Sequence, residues 1–338
     1  MMKFLRFGLI VGLMITFFVQ LATPIGAQPT PQQNFVELPI MIGPQRLQGR
    51  ITLPFGVSNP PVAIFIHGSG QHNYNSAFGG MAIFRDIAHG LANQGIASIR
   101  FNKRYYQNPP TPNHMTIHDE TIEDVSHAIT FASGWHILGD IYLIGFSQGG
   151  IVAPYIAYNH PEVAGIISLA GSPRNFFDIV NSQASFLRYQ ASRRTTMPVP
   201  SILPVSFLIE RIMAVDENTL PMTYNFLNSQ ASALGFPITF LRSMDTIDTP
   251  SILPHLNIPF LILQGSEDLQ IKADYCFVAW QNLLGYRHNA TFILYNGLNH
   301  FFAPHRPNLG YSQSRAQARV DRRVINDIAQ WINYHDRS

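Results

Sequence analysis

The chain has 338 residues, of which 46% are hydrophobic and 12% are charged, about half the charged fraction of an average globular protein. This high hydrophobicity combined with little net charge excludes a disordered chain. Lys3 and Arg6 are the only charges before Glu37, and the remaining 20 basic side chains balance the 20 acidic ones, which leaves no basic surface for the phosphate backbone of a nucleic acid.

The first 27 residues predict export. They contain a short positive stretch, an apolar run over 7–22 and a small-residue end at Ala27, which is the order of a signal peptide. The apolar run is shorter than the roughly 20 residues that span a bilayer. Ile25 fits a cleavage site less well than alanine does, so an uncleaved membrane anchor is the alternative. We expect a flexible leader at 28–34 and a periplasmic or extracellular protein without membrane contact after cleavage.

Short runs rich in Val, Ile and Phe alternate with helix-like stretches over the rest of the chain. Strands are predicted at 35–42, 48–53, 62–66, 96–100, 141–145, 165–169, 260–264 and 291–295. Helices are predicted at 78–93, 119–133, 148–159, 271–284 and 314–334. Several strands are almost continuously apolar, which is typical of strands covered on both faces. The alternation therefore indicates an α/β fold with eight mostly parallel strands and helices on both sides.

The segment 172–250 interrupts this alternation. It has no clear strand, and its apolar residues recur at helix-like intervals. A long insertion between strands of a sheet is usually a functional lid. We predict a core formed by 35–171 and 251–338, with a helical cap at 172–250.

The stretch Gly145-Phe146-Ser147-Gln148-Gly149 carries the main chemical signal. It follows a predicted strand and opens a predicted helix, so Ser147 lies on the turn between them. Small residues on both sides permit such a crowded turn, which presents the serine hydroxyl as a nucleophile. The Gln148 N–H at the helix N-terminus can stabilise a developing oxyanion. The alternative is a glycine-rich loop with an incidental serine.

The second signal is His67-Gly68-Ser69-Gly70, directly after a predicted strand. Glycine lets the backbone turn sharply there and direct an N–H at the oxyanion. We assign that donor to Ser69, with Gly70 as the neighbouring alternative. His67 is expected to brace the loop through its ring nitrogens rather than to act as a base.

Four motifs follow one another along the chain: HGSG at 67–70, GFSQG at 145–149, QGSED at 264–268 and GLNHFF at 297–302. On these motifs the chain resembles the α/β-hydrolase superfamily of serine hydrolases over residues 35–335. Within it, the chain is most similar to bacterial secreted carboxylesterases related to the acylaminoacyl-peptidase and serine-aminopeptidase groups. IRFNKR at 99–104 is similar to the R-Y/F-D-K-R-G strand end of those groups. It departs from their pattern with Asn102 in place of Asp, and Tyr105-Tyr106 replaces a glycine-rich turn at the cleft rim.

The resemblance implies a catalytic triad in the chain order Ser, acid, His. Asp268 fits the acid position of the family, in a loop after the strand predicted at 260–264. Glu267 is its local competitor, whereas Asp274 is interpreted as a surface residue of the following helix.

The third member is expected among 13 histidines. His300 is favoured because it closely follows the last predicted strand and precedes two phenylalanines that can anchor its loop. His305 is the alternative, and His255 and His288 are interpreted as surface or loop residues.

These assignments predict a serine hydrolase that needs no metal or organic cofactor. His300 takes the proton of Ser147 as the hydroxyl attacks an acyl carbonyl, and Asp268 orients the imidazole. The N–H groups of Ser69 and Gln148 stabilise the oxyanion, and water then releases the acyl-enzyme. The His and Asp residues lack the close spacing of zinc ligands.

The apolar cap and the low charge favour a carboxylesterase for short or medium acyl esters, and the resemblance favours the same class. The alternative is a serine aminopeptidase or acylaminoacyl-peptidase acting on a short peptide, with an acidic side chain that anchors the substrate amine. Glu210, Asp216 and Glu217 in the predicted cap are candidates for that anchor, and a solvated helix face is their other interpretation. A more remote alternative is a non-catalytic binding protein on a hydrolase fold.

Overall fold

The computed structural model describes residues 33–78, 80–109, 113–180, 182, 211–212, 214–215, 219–233, 236–306 and 318–336. The described residues from Asn34 onward belong to one compact unit. The predicted signal peptide at 1–27 and nearly all of the predicted leader at 28–34 lie outside the described residues. Among those that are described, no helix is long and apolar enough to cross a membrane.

The described strands form one large sheet and a small hairpin. In chain order they are β1 (Phe35–Ile42), β2 (Leu47–Pro54), β3 (Val62–Ile66), β4 (Ala77–Phe78), β5 (Met81–Ala82), β6 (Ala97–Phe101), β7 (Ile141–Phe146), β8 (Val163–Leu169), β9 (Phe260–Gly265) and β10 (Ala290–Tyr295). The large sheet has the order β1-β2-β6-β3-β7-β8-β9-β10, and β4 pairs with β5. In the large sheet, β2 pairs antiparallel with β1 and with β6, and the other pairs are parallel. The prediction of eight mostly parallel strands is confirmed.

Most of the described helices lie between successive strands, and several lie together between β8 and β9. The described helices are α1 (Ile83–Ala92), α2 (Arg104–Gln107), α3 (Glu123–Ser133), α4 (Gln148–Tyr158), α5 (Pro221–Ala233), α6 (Ile238–Asp245), α7 (Thr249–Ile252), α8 (Val278–Leu284) and α9 (Arg322–His335). Single π-helical turns lead into α3 and α8, at His118–Ile122 and Ala273–Phe277, and a 3₁₀ turn at Leu253–His255 follows α7.

The alternation of side chains along β3 decides which helices pack on which face of the sheet. Ala63 and Phe65 belong to one buried cluster with α1 and α9, whereas Val62, Ile64 and Ile66 belong to the cluster with α3 and α4. All five are fully buried. Helices thus cover both faces, which explains why this strand is a continuous apolar run in the sequence.

The described parts of 172–250 are mostly helical and share the core on the α3–α4 side. Thr239 on α6 donates a hydrogen bond to Met115 O at 2.7 Å. The Ile117 N–H donates to Ser243 Oγ at 2.8 Å. The insertion is therefore packed on the segment before α3, and its bounds as a cap stay a prediction.

α1 and α9 begin later than the predicted helices that they correspond to. α1 starts at Ile83 rather than at 78, because the preceding residues form the β4–β5 hairpin around Gly80, whose φ is +95°. α9 starts at Arg322 and the described residues 318–321 before it are not helical, whereas 314–317 of the predicted helix lie outside the described residues. At the start of α9 the Asp321 carboxylate accepts the Arg323 N–H at 2.9 Å and caps the helix.

Replacing Phe84 with alanine tests the packing of α1 on the sheet. The Phe84 ring is fully buried and its centroid lies 4.7 Å from that of Phe65. Its removal leaves a cavity and lowers the free energy of unfolding by about 3–5 kcal/mol. Phe55 is 60% exposed, so Phe55→Ala is the matched control and changes this free energy by less than about 0.5 kcal/mol. Equal effects in urea denaturation would contradict the packing.

Candidate active site

Ser147 occupies a strained turn between β7 and α4. Its φ is +54°, in the left-handed region that non-glycine residues rarely adopt. The Ser147 N–H donates to Leu169 O on β8 at 2.8 Å, and the Gly150 N–H donates to Ser147 O at 2.9 Å. The structure therefore places Ser147 on the predicted strand–turn–helix junction, with its side chain half-buried.

The two glycines of the GFSQG motif are required by close packing. A Cβ on Gly149 would lie 2.3 Å from Ile66 O at the end of β3. A Cβ on Gly145 would lie 2.4 Å from Gly149 O. Both distances are far below van der Waals contact, so α4 can start this close to the sheet only with glycine at both positions.

The loop after β3 lies directly against Ser147. A Cβ on Gly68 would be 3.2 Å from Ser147 Cβ and 3.3 Å from Phe146 Cδ1. Ser69 Oγ donates a hydrogen bond to Gln148 Oε1 at 2.7 Å. Gln148 is the first residue of α4, where backbone N–H groups lack partners within the helix. The structure thus brings Ser69 and Gln148, the two predicted oxyanion residues, together beside Ser147.

Asp268 and His300 form a buried pair at the same end of the sheet. His300 Nδ1 lies 2.7 Å from Asp268 Oδ2, and the two side chains are 5% and 0% exposed. They follow β9 and β10, which are adjacent and parallel, so the loops after these strands meet at one edge. The His300 ring packs on Phe146 with a centroid distance of 5.0 Å. His300 is therefore next to the residue that precedes Ser147.

Neighbouring groups hold the Asp268 carboxylate in one orientation. Oδ2 accepts a hydrogen bond from Gln264 Nε2 at 2.8 Å. Oδ1 accepts from the backbone N–H groups of Gln270 and Ile271, both at 2.8 Å. Because Ile271 is held in this loop, the helix predicted from 271 begins only with the π-turn at Ala273–Phe277.

The other acids and histidines considered for the triad are less buried than Asp268 and His300. They are exposed or half-buried: Glu267, Asp274, His255, His288 and His305. Among the residues that the structure describes, Asp268 is thus the acid of the QGSED motif that meets His300. Within the same ranges, no group of three or more His, Cys, Asp and Glu side chains is arranged to hold a metal ion.

His67 anchors the start of the loop after β3. The ring is bonded through Nε2 to Phe101 O at 2.7 Å and packs on Phe84 with a centroid distance of 4.7 Å. Burial lowers the pKa of His67 well below its usual value, so the ring is neutral and Nε2 donates its proton. Nδ1 has no hydrogen-bond partner among the described residues. One ring nitrogen, rather than both as expected, therefore braces the loop.

The residues at 102–106 that depart from the family pattern are held by hydrogen bonds and a helical turn. The Tyr74 N–H donates to Asn102 Oδ1 at 2.8 Å. Tyr105 and Tyr106 lie in the short helix α2, and the Tyr105 hydroxyl donates to Asp119 Oδ2 at 2.9 Å. A helical turn thus stands where the related groups have a glycine-rich turn.

Sequence reasoning missed Lys103 and Glu120, which lie beside the loop after β3. Their side chains form an ion pair and are 2% and 3% exposed. Lys103 Nζ also donates to Gly68 O at 2.9 Å. The sequence feature that could have identified Lys103 was its position in IRFNKR, directly after a buried strand in a chain with few charges.

A protein-family model named Hydrolase_4, with the description serine aminopeptidase S33, matches residues 62–302. This range is more than half of the chain and contains Ser147, Asp268 and His300. The chain belongs to the Hydrolase_4 family. Its eight-stranded sheet is accordingly the α/β-hydrolase sheet that the four motifs implied.

Esterase EstD of Thermotoga maritima is 27% identical to this chain over 286 residues, which are 85% of this chain and 65% of EstD. The chain thus spans less than two thirds of the length of that relative. The structure of Est1E from Butyrivibrio proteoclasticus is similar with a TM-score of 0.54 at 14% identity, over 88% of this chain and 98% of that one. An esterase of Pyrococcus furiosus, PF2001, has a TM-score of 0.53 at 14% identity, over 89% and 90%. At these identities the structural likeness shows the fold alone.

Replacing Gly149 with alanine tests the close approach of α4 to β3. The added Cβ would lie 2.3 Å from a backbone oxygen, so we expect the free energy of unfolding to fall by about 1–3 kcal/mol. Gly134→Ala is the matched control, because its Cβ would meet nothing nearer than 3.5 Å, and it changes the free energy by less than about 0.5 kcal/mol. Thermal unfolding compares the two, and equal stability would contradict the argument.

Proposed function

We propose that this chain is a serine hydrolase that cleaves carboxylic esters with short or medium acyl groups. The observation that carries the proposal is the buried Asp268–His300 pair, whose histidine ring packs on Phe146 next to Ser147. Membership of a hydrolase family and the 27% identity to EstD support ester hydrolysis.

In the proposed mechanism His300 is the base and Ser147 the nucleophile. Because the Nδ1–H group of His300 donates to Asp268, Nε2 is left to take the hydroxyl proton as Oγ attacks the acyl carbonyl. Asp268 stabilises the imidazolium without taking the proton. His300 then protonates the leaving alcohol, and the acyl group stays on Ser147. Water, deprotonated by His300, attacks this ester and releases the carboxylic acid.

Two backbone N–H groups are proposed to stabilise the tetrahedral oxyanion. One belongs to Gln148 at the N-terminus of α4, where the helix dipole favours negative charge. The other belongs to Ser69, whose side chain is bonded to that of Gln148. Removing one such donor typically lowers kcat by about 10²–10³. The position of the loop after β3, which carries Ser69, therefore affects kcat.

An uncharged acyl group is the substrate class that we propose. The described helix α5 of the insertion contains no charged residue, and the chain as a whole has 12% charged residues. Apolar surroundings with a few oriented polar groups are typical of pockets for apolar ligands.

A serine aminopeptidase is the second candidate, because the family model carries that description. Such an enzyme needs an acidic side chain to bind the amino group of its substrate. The three candidates for this anchor, Glu210, Asp216 and Glu217, lie outside the described residues.

A paired assay of the purified protein separates these activities. p-Nitrophenyl esters of two to twelve carbons are compared with aminoacyl-arylamides, and we expect turnover of esters that falls in Ser147→Ala by about 10⁶-fold. Faster turnover of arylamides would favour the peptidase, and Glu210→Gln, Asp216→Asn and Glu217→Gln would then identify the amine anchor. Unchanged turnover in Ser147→Ala would contradict the nucleophile. A folded protein without either activity would favour a binding protein.

The variant Asp268→Asn tests the acid of the triad. It keeps the size of the side chain, but an amide favours the wrong tautomer of His300, so kcat falls by about 10⁴-fold. The adjacent Glu267 is exposed, and Glu267→Gln, as the matched control, leaves kcat essentially unchanged. A similar loss in both variants would exclude Asp268 as the specific partner of His300.

A further inference from the structure

Buried polar side chains lie beside the loop after β3 and connect the two proposed oxyanion donors. Lys103 Nζ donates to Gly68 O at 2.9 Å and is ion-paired with Glu120 Oε1. The second carboxylate oxygen, Glu120 Oε2, accepts from Gln148 Nε2 at 3.5 Å. Gln148 Oε1 accepts in turn from Ser69 Oγ at 2.7 Å. The network therefore runs from the Gly68–Ser69 peptide to the start of α4.

Three members of this network are shielded from water. Lys103, Glu120 and Gln148 are 2%, 3% and 1% exposed. Burying a charge is costly unless it is paired and hydrogen-bonded, and a buried ion pair adds little net stability. The position of the pair against the loop is therefore better explained by what it holds than by its contribution to folding.

The carbonyl held by Lys103 and the proposed donor belong to the same peptide unit. In a planar trans peptide the C=O and N–H groups point in opposite directions, so holding Gly68 O also sets the direction of the Ser69 N–H. This peptide lies against the nucleophile, since a Cβ on Gly68 would be 3.2 Å from Ser147 Cβ. A hydrogen bond from a charged donor to the carbonyl also polarises the peptide and strengthens its N–H as a donor.

We propose that Lys103, held by Glu120, is a positioning residue that orients the Gly68–Ser69 peptide as an oxyanion donor. Through Gln148, the same carboxylate couples this peptide to the second donor at the start of α4. The inference rests on the proposed esterase function. Lys103 contacts no reacting atom and acts through the peptide that it holds.

The test removes the pair without leaving one buried charge unpaired, by combining Lys103→Met with Glu120→Gln. We expect kcat for a p-nitrophenyl ester, per titrated active site, to fall about 10- to 100-fold, less than the loss of a whole donor, with KM changed less than about threefold. An alkylboronic acid forms a tetrahedral adduct with the serine and places an oxygen where the oxyanion forms. Its affinity should fall by the same factor as kcat/KM.

Two further variants separate positioning from general stability. Asp124 is 4% exposed and pairs with Arg104 rather than with the loop, so Asp124→Asn disturbs a neighbouring buried pair and leaves kcat within about twofold. Ser69→Ala, at an exposed residue, removes the bond to Gln148 but keeps the backbone N–H. Its kcat should fall about five- to tenfold, as expected for one hydrogen bond, which tests the coupling of the two donors through Gln148.

The outcomes distinguish the inference from the function on which it rests. Wild-type kcat in the double variant, a loss expressed only in KM, or an equal loss in Asp124→Asn would overturn the positioning role. In the absence of a folded double variant, Lys103→Gln combined with Glu120→Gln, which keeps polar groups at both positions but removes the ammonium, takes its place, and wild-type kcat there would do the same. A wild-type protein without Ser147-dependent ester turnover would overturn the proposed function and the inference with it.

Discussion

The contact between the start of α4 and the end of β3 sets the geometry of the site. A Cβ on Gly149 would lie 2.3 Å from Ile66 O, and Ser147 has a φ of +54°, which is a strained conformation for serine. Hydrogen bonds to Leu169 O and from the Gly150 N–H hold this turn, and the burial of α4 against the sheet stabilises it. As a result, the serine, the first N–H groups of α4 and the loop after β3 are kept close together.

The parallel pairing of the strands brings the other residues of the site to the edge of the sheet where Ser147 lies. β3, β7, β9 and β10 run parallel in the sheet, so the loops that follow them lie at one edge. These loops carry the 67–70 motif, Ser147, Asp268 and His300. Ligands of open α/β sheets bind outside this carboxyl edge of the strands, and the long insertion leaves the sheet from the same edge, after β8.

Some of the few charged side chains of this protein lie in its interior, beside the site. Asp268 is paired with His300 and hydrogen-bonded by Gln264, and Lys103 is paired with Glu120. In surroundings of low dielectric constant such interactions are strong, and an unpaired charge would be costly. The same burial that stabilises the sheet therefore keeps these side chains in one arrangement.

The sequence by itself determined the sheet and the position of Ser147, because strands covered on both faces are continuous apolar runs and the GFSQG motif has a clear strand–turn–helix context. It left the acid open between Glu267 and Asp268 until the resemblance favoured the latter, and it did not reveal the Lys103–Glu120 pair. Only the tertiary structure shows that Asp268 is the carboxylate that contacts His300 and that Lys103 is paired with Glu120. These pairings depend on contacts between loops and helix ends far apart in the chain, such as Asp268 with His300, which no local pattern encodes.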